Sequence, residues 1–563
     1  MLVAGLVWVT RYGSNVPSWD GWDMVPTLTR HQSVTLDWLW SQHNEHRVPL
    51  PRLLLLGLNA AWIDFRIPMV FDVLLLGGLA AAMIIVADRL RGGVRVTDAF
   101  FPLVLLHWGQ APNLLWAWQV QFFSSTALAI VVLLLMLESG AGLRVRTAAF
   151  AAGICILLLP LCGANGVALV PGLVLWLLYL AALRWRSADP ALRRVARGYA
   201  ALGVAALLLV MLYFVGWEPV PWHPHSSGVL ASLQTALQFL TIGLGPATRE
   251  AWPVSGIIVL LILLASVALL VYTWRTRPEE RERSAGLLCF LAAMASLALG
   301  LGMGRDGFEI RYVTLAAPVW CAVYLAWRRY GPGRWRNAAP TLLFAVSVAL
   351  LIPNTVRGVE YSRDLRGGLG AFEHDLTAGV PPFQLIARYG AYLHPHPDLV
   401  GDYLPMLHDA GVGTFQLLRS DPPFVEVPIP LMPSELNEVG WRGRTARVTG
   451  AHAYLVFTLR EPVRACGIRL TYRHSNATGR LPYVGIAWRG GDEEFTREHY
   501  QKYSPTGDHA NWLRGSWTRL GDPATTMTVW GCRDVAAIRI DPDFAPGTLV
   551  ISKLTLLVPT GRP

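Results

Sequence analysis

Charge is scarce in this chain. Of its 563 residues, 15% are Asp, Glu, Lys or Arg, where a soluble globular chain carries about 25%. With 53% hydrophobic residues and a mean hydropathy of +0.39, that shortage excludes an ordinary soluble domain. Cysteine is scarce too. None of the six Cys has the spacing of a metal site. Cys155, Cys162, Cys289 and Cys321 lie in apolar runs and read as small core residues. No Gly-rich phosphate loop is present, so no soluble nucleotide is expected. No A-x-A cleavage site follows the apolar start. No basic–aromatic face is built, so the net charge of +10 does not indicate nucleic acid. Internal repeats and low-complexity tracts are absent as well.

What the chain has is apolar runs. They fall near 1–10, 68–88, 98–108, 119–138, 148–163, 165–183, 198–216, 253–273, 285–301, 312–327 and 338–353. They predict a polytopic α-helical membrane protein of about eleven spans, each needing about 20 residues. The first run is shorter than that. "DRLRGGVR", "LRVR", "LRWRSADPALRRVAR", "RTRPEERER" and "RRYGPGRWR" fall on alternate connections and read as cytoplasmic. The other face then receives 11–52, "HWGQAPNLLWAW", 217–250, "GMGRDGFEIR" and everything after 354. An odd number of spans puts the N-terminus in the cytoplasm and the C-terminal part outside.

Three domains follow: a membrane domain over 1–353, a linker with short helices over 354–421, and a β domain over 422–563. "AYLVFTL", "GIRLTYRH", "LPYVGIAW", "TMTVWG", "AAIRI" and "TLVISKLTLLV" are β-branched or aromatic runs between Gly, Pro, Asp and Asn turns. That spacing predicts an antiparallel sandwich or jelly roll. Cys466 and Cys532 end two of these runs and are the disulfide candidates. A bridge requires their strands to lie close together.

Chemical potential gathers in the outer loops. The first, Trp19 to Arg52, reads "WDGWDMVPTLTRHQSVTLDWLWSQHNEHRVPLPR". It carries Asp20, Asp23, Asp37, Glu45, His46 and Arg47. A second offers Gln110, Asn113, Trp118 and Gln119, and a third Arg305, Asp306, Glu309, Arg311 and Tyr312. Carboxylates, guanidiniums and indoles on one membrane face suit a reaction on a sugar carried by a lipid phosphate. A carboxylate takes the proton of an acceptor hydroxyl. Arg holds phosphate bidentately. Trp sits at the lipid interface.

The stretches "SWDGWDMVP…NEHRVPLPR", "NLLWAWQVQF", "CGANGVALVP" and "GRDGFEIRYVTL" resemble the GT-C superfamily of membrane glycosyltransferases. The resemblance covers about 1–353, and the β domain is similar to carbohydrate-binding-like modules. It implies a polyprenyl-phosphate sugar donor and a cell-envelope glycan or lipid acceptor. The site would lie on the outer face of a bacterial plasma membrane. The acidic motif of the first outer loop carries the base in that superfamily, and Asp20 or Asp23 matches it. The D-G-W-D spacing leaves open which. Glu45, His46, Arg47, Arg305, Arg311, Tyr312, Asn113, Trp118 and Gln119 are the candidates for donor phosphate and substrate. The D-G-W-D spacing also leaves open whether a metal is used: no cofactor is expected, and a divalent metal, though possible, is not supported by the sequence.

Each candidate also has a structural reading. Asp20 and Asp23 could cap a helix, and Asn44 could cap a helix starting at "NEHR". Arg305 and Arg311 could anchor a helix end, and Asn113 and Trp118 could pack between helices. His223 and His225 read as a Pro-stiffened loop. His107 and Asn165 should face a cavity or a partner helix. Trp441, Trp488, Trp512 and Trp517 read as core or as glycan platform. Two non-catalytic functions compete, a lipid-linked sugar flippase and an envelope scaffold that binds glycan. The orientation is tested by cysteines at Ser187 and Ser504. In intact cells a membrane-impermeant maleimide should label the second and reach the first only after permeabilisation. Labelling of the first in intact cells refutes the orientation.

Overall fold

The computed structural model describes residues 1–137, 143–218, 226–305, 307–394, 397–476, 483–491, 493–495, 514–517, 525–542 and 545–560. His223, His225, Asp306, Ser504 and Trp512 lie outside the described residues. The chain forms two compact units. One is Met1–Gly13 with Val34–Arg366, and the other is Ser14–Ser33 with Gly367–Pro563. The long first loop is therefore divided between them.

Among the described residues of the chain, eight helices are long and apolar enough to cross a membrane. They are Arg66–Arg91, Ala117–Leu137, Ala164–Trp185, Pro190–Tyr213, Val254–Thr276, Pro278–Gly304, Ile310–Tyr330 and Trp335–Thr377. Each coincides with one of the expected spans. The other three expected spans are shorter. Leu2–Tyr12 and Arg146–Cys162 are apolar but fall below span length. The run at 98–108 breaks into a 3-10 turn and the six-residue helix Phe100–Leu105. Pro49–Leu58 and Val229–Ile242 are further short apolar helices. Among the described residues there are thus eight long apolar helices and four short ones, and the count of eleven spans is not confirmed. The last long helix has 43 residues and continues through Pro353 without a break. At 1.5 Å per residue it runs about 65 Å, roughly twice a bilayer core.

Side-chain pairing sorts the connections of the first unit into two sets. Arg184 pairs with Glu282, and Glu280 with Arg329. Arg283 donates to the Leu137 carbonyl, and Arg95 to the Asn337 side chain. These Arg-bearing ends therefore meet at one face. The Gln42–Glu218, His46–Ala164 and Asn113–Arg311 hydrogen bonds gather the other set. Asn165 reaches a partner helix through Ser125 Oγ. His107 is buried with neither ring nitrogen bonded among the described residues.

Among the described residues, the C-terminal domain forms one antiparallel sheet of nine strands. A separate hairpin, β1 (Gln42–His43) and β2 (His46–Arg47), lies earlier in the chain. The sheet strands are β3 (Phe424–Pro428), β4 (Glu435–Asn437), β5 (Val439–Arg442), β6 (Thr445–Val448), β7 (Tyr454–Asn476), β8 (Tyr483–Arg489), β9 (Arg514–Trp517), β10 (Thr525–Asp541) and β11 (Gly547–Pro559). Their order is β5-β6-β11-β7-β10-β8-β9, with β3 also on β11 and β4 also on β7. Two pairs of expected short strands are single long strands here. "AYLVFTL" and "GIRLTYRH" both fall in β7, and "TMTVWG" and "AAIRI" both in β10. Register shifts in the β7–β10 ladder between Trp530 and Arg533, and between Val535 and Ala537, divide them. A bulge flips the alternation of faces. Buried positions in β10 accordingly change from Met527 and Val529 to Ile538 and Ile540. Cys466 and Cys532 form a disulfide at the first of these shifts. Trp488 packs in the sheet core, and Trp441 packs partly buried against it.

His474 on β7 is buried beside this core, with neither ring nitrogen bonded among the described residues. Burial lowers its pKa from an ordinary 6.5 to about 4. The folded domain therefore resists the proton that the unfolded chain accepts. This stability is complete above pH 6.5 and is lost as pH falls towards about 4. Hydrogen exchange in β7 and β11, corrected for intrinsic rates, should speed up over that window. His474→Leu should flatten the change; an equal change in that variant rejects the assignment.

Candidate functional site

In the second unit, Trp19–Met24 forms a short 3-10 turn whose N-cap is Ser18. Asp20 and Asp23 both lie inside the turn, so neither occupies the cap position. Trp22 is fully buried and meets Phe415 edge-on at 6.3 Å. The turn and the following Val25–Leu28 helix pack on the Pro397–Asp409 helix. With Trp22 turned inward, the flanking acids are left only partly buried. A carboxylate oxygen of Asp20 and one of Asp23 lie within 4.8 Å of each other. Asp23 lies 3.9 Å from Nε2 of the buried His394. Trp19, next to Asp20, has φ +50°. Bulky residues rarely adopt that conformation, and such strain collects at functional sites.

In the first unit the candidates divide by what their donors do. "NEHR" is a hairpin turn rather than a helix start, and Asn44 has φ +48°. Asn tolerates that left-handed conformation. Arg47 is buried, and its guanidinium donates to three carbonyls: Tyr213 O at 2.9 Å, Trp40 O at 2.7 Å and Val215 O at 2.9 Å. Arg52 donates to Leu39 O, Ser41 O and Ser41 Oγ, and to Trp38 O. It also lies over the Trp38 ring at 4.8 Å. Both arginines thus satisfy carbonyls left open where the Leu36–Trp40 helix ends.

Glu45 and His46 stand at this pinned hairpin. The Glu45 carbonyl accepts from the Tyr213 hydroxyl and from Trp217 Nε1. Ala164 N donates to His46 Nδ1 at 3.2 Å. That bond puts the ring proton on Nε2, which lies 3.3 Å from Glu45 Oε1. The Glu45 carboxylate also pairs with Arg305, and Arg305 Nε donates to the Tyr312 hydroxyl at 3.1 Å. Gly163 permits the approach. A Cβ there would stand 3.1 Å from Asn165 Oδ1 and 3.6 Å from His46 Cβ. Glu45, His46, Arg305 and Tyr312 therefore form one connected group.

A second group lies around Arg311. Its guanidinium sits 5.5 Å from the Trp116 ring centre and donates to Glu309 at 3.0 Å. Burial opposes ionisation of Glu309, but the Arg311 charge and hydrogen bonds outweigh it and hold the carboxyl below its ordinary pKa. Asn113 Nδ2 donates to Arg311 O and to Thr314 Oγ1, and Thr314 donates to Gln110. Asn113 thus packs between helices. Trp118 and Gln119 are buried, and Trp118 Nε1 and Gln119 Oε1 have no hydrogen-bond partner among the described residues. The Trp118 ring lies 4.7 Å from that of His43. Tyr213, Arg52 and Thr314 are partners that sequence reasoning missed. Tyr213 and Thr314 sit within apolar helices, where no local signal marks them.

These elements define a multi-pass helical membrane protein with a C-terminal β-sheet domain. No protein-family model matches the chain, and no curated protein is similar by sequence. Among solved structures, the arabinofuranosyltransferase AftD from mycobacteria is similar over 99% of this chain and 58% of its own, at 12% identity and a TM-score of 0.29. A mutant form of AftD is similar over 98% of this chain and 60% of its own, at 12% identity and a TM-score of 0.22. This chain thus spans less than two thirds of the chains it matches. Likeness at that distance carries no function across.

Arg47 yields a test. Truncation leaves three carbonyls without their donor, and an unsatisfied buried group costs about 1–3 kcal/mol. Arg47→Ala should lower the thermal midpoint of the detergent-purified protein clearly. Arg311→Ala, about a third exposed, should lower it little. Equal midpoints for Arg47→Ala and the unsubstituted protein refute the pinning role.

Proposed function

We propose that this chain is a membrane glycosyltransferase that takes a sugar from a polyprenyl-phosphate donor. The acceptor is a hydroxyl of a cell-envelope glycan or lipid, on the extracytoplasmic face of a bacterial plasma membrane. The observation that supports this most is the Asp20–Asp23 carboxylate pair. It is carried by a turn anchored on a buried indole and is not used as a helix cap. In the proposed reaction the acceptor oxygen attacks the anomeric carbon and the bond from that carbon to the phosphate oxygen breaks. The polyprenyl phosphate leaves with the electron pair, and Asp20 or Asp23 takes the hydroxyl proton. Arg305 and Arg311 receive the phosphate. Glu45, His46 and Tyr312 orient Arg305, and Arg47 holds their hairpin. Asn113, Trp118 and Gln119 support the substrate side, and the β domain holds acceptor glycan. The scheme draws on no metal.

One observation favours a lipid-linked sugar transporter instead. Asp72, inside the Arg66–Arg91 span, is fully buried with both carboxylate oxygens unpartnered among the described residues. Ionisable groups within spans mark transport pathways.

Two sets of variants separate the readings. Asp20→Asn and Asp23→Asn keep shape and hydrogen-bonding capacity. At least one should lower transfer by a factor of about 100 to 10,000, the usual contribution of a general base, while the protein still accumulates in the membrane. Full transfer by both, and by the double variant, defeats the proposal. Asp72→Asn should leave transfer intact when donor is supplied in detergent. A variant that blocks lipid-sugar movement in vesicles, in a protein without transferase activity, establishes the transporter.

A further inference from the structure

The opposite set of connections in the first unit holds a basic cluster that the transfer reaction does not use. Arg91 is not part of its free charge. It pairs with Asp98 through two hydrogen bonds, and Tyr324 donates to the same carboxylate. Arg95, Arg328 and Arg336 have no such partner. Arg95 and Arg328 both donate to one neutral oxygen, Asn337 Oδ1. Arg328 donates also to the Arg336 carbonyl, and Arg336 Nε returns a bond to the Arg328 carbonyl at 3.1 Å. The Arg95 backbone N–H donates to Asp98 Oδ2 at 2.8 Å, but none of the three guanidiniums is paired with a carboxylate among the described residues. Arg328 is 5% exposed, and its Nε has no acceptor among the described residues.

Two guanidiniums on one amide oxygen, with that of Arg336 bonded to the Arg328 backbone beside them, repel one another, and a buried cation without a counter-charge is costly. An anion relieves both. We propose that Arg95, Arg328 and Arg336 bind the phosphate of an anionic phospholipid headgroup. The surroundings favour a lipid over a free ion. Val94 and Val96 flank Arg95 and are 66% and 78% exposed, and Trp335 beside Arg336 is 48% exposed. Exposed valines suit acyl chains, and Trp belongs at the headgroup level. Basic pockets between transmembrane helices bind anionic headgroups in this way. The site does not depend on the glycosyl-transfer reading.

The test uses the full chain, delipidated in neutral detergent and followed by native mass spectrometry. Phosphatidylglycerol, phosphatidylcholine and inorganic phosphate are titrated separately. Phosphatidylglycerol should bind at one tight site, and phosphatidylcholine should bind weakly. Arg95→Gln combined with Arg336→Gln alters two exposed positions and spares the buried Arg328. Losing two charge-assisted contacts should weaken phosphatidylglycerol binding at least about tenfold. Equal binding of the two lipids, or unchanged affinity in the double variant, overturns the proposal. Displacement of phosphatidylglycerol by an equal concentration of inorganic phosphate overturns the choice of a lipid.

Discussion

Arg47 spends its guanidinium on backbone, and the geometry of the first unit's candidate group follows from that. Its three carbonyl acceptors belong to the Leu36–Trp40 turn and to the end of the Pro190–Tyr213 helix. A helix end leaves carbonyls open, and near lipid no water pays for them. One buried side chain closes both ends together. The two-residue turn between β1 and β2 is then fixed, and Glu45 and His46 are carried with it. The His46 tautomer is set by Ala164 N, so the direction of the His46–Glu45 contact is determined by backbone as well.

The same chemistry gives arginine three different roles here. Arg47 and Arg52 are consumed by carbonyls. Arg305 and Arg311 are paired with carboxylates, Glu45 and Glu309 respectively. Among the described residues, the guanidiniums of Arg95, Arg328 and Arg336 bond only to Asn337 and backbone. Sequence position cannot separate these roles, because all seven lie in polar stretches between apolar runs. Acceptor supply separates them. Only the structure shows where carbonyls remain open and where a carboxylate is within reach.

The long helices were legible because a span is long, apolar and bounded by charge. All eight coincide with expected runs. Short apolar helices were less legible, since Pro49–Leu58 and Val229–Ile242 lack the length that marks a span. In the β domain the antiparallel character could be read from short β-branched and aromatic runs between turns, but β7 and β10 each looked like two strands. A bulge changes which residues face the core, and in sequence that change resembles a turn. For the same reason the Cys466–Cys532 bridge stayed open until the ladder between those strands was known. Candidate site residues were found wherever charge stood out against an apolar background. Their neutral partners, Tyr213 and Thr314, were hidden in apolar helices.

In the proposed reaction, charge balance accounts for how a phosphate would be received at Arg305 and Arg311. An arginine kept ready for an anionic substrate must be neutralised while it waits, because a bare guanidinium near lipid is costly. Glu45 and Glu309 provide that counter-charge to Arg305 and Arg311. An arriving phosphate then replaces one anion with another, so the net desolvation cost of the exchange is small. The displaced Glu45 keeps a hydrogen-bond donor in His46 Nε2, 3.3 Å from its carboxylate in the paired state. Arg305 also retains the Tyr312 hydroxyl as an orienting partner. Arg47 lacks this exchangeable arrangement. Its acceptors are fixed carbonyls, and freeing the guanidinium for phosphate would open the end of a helix. In the proposed reaction, holding the hairpin and clamping the phosphate are therefore tasks for different arginines.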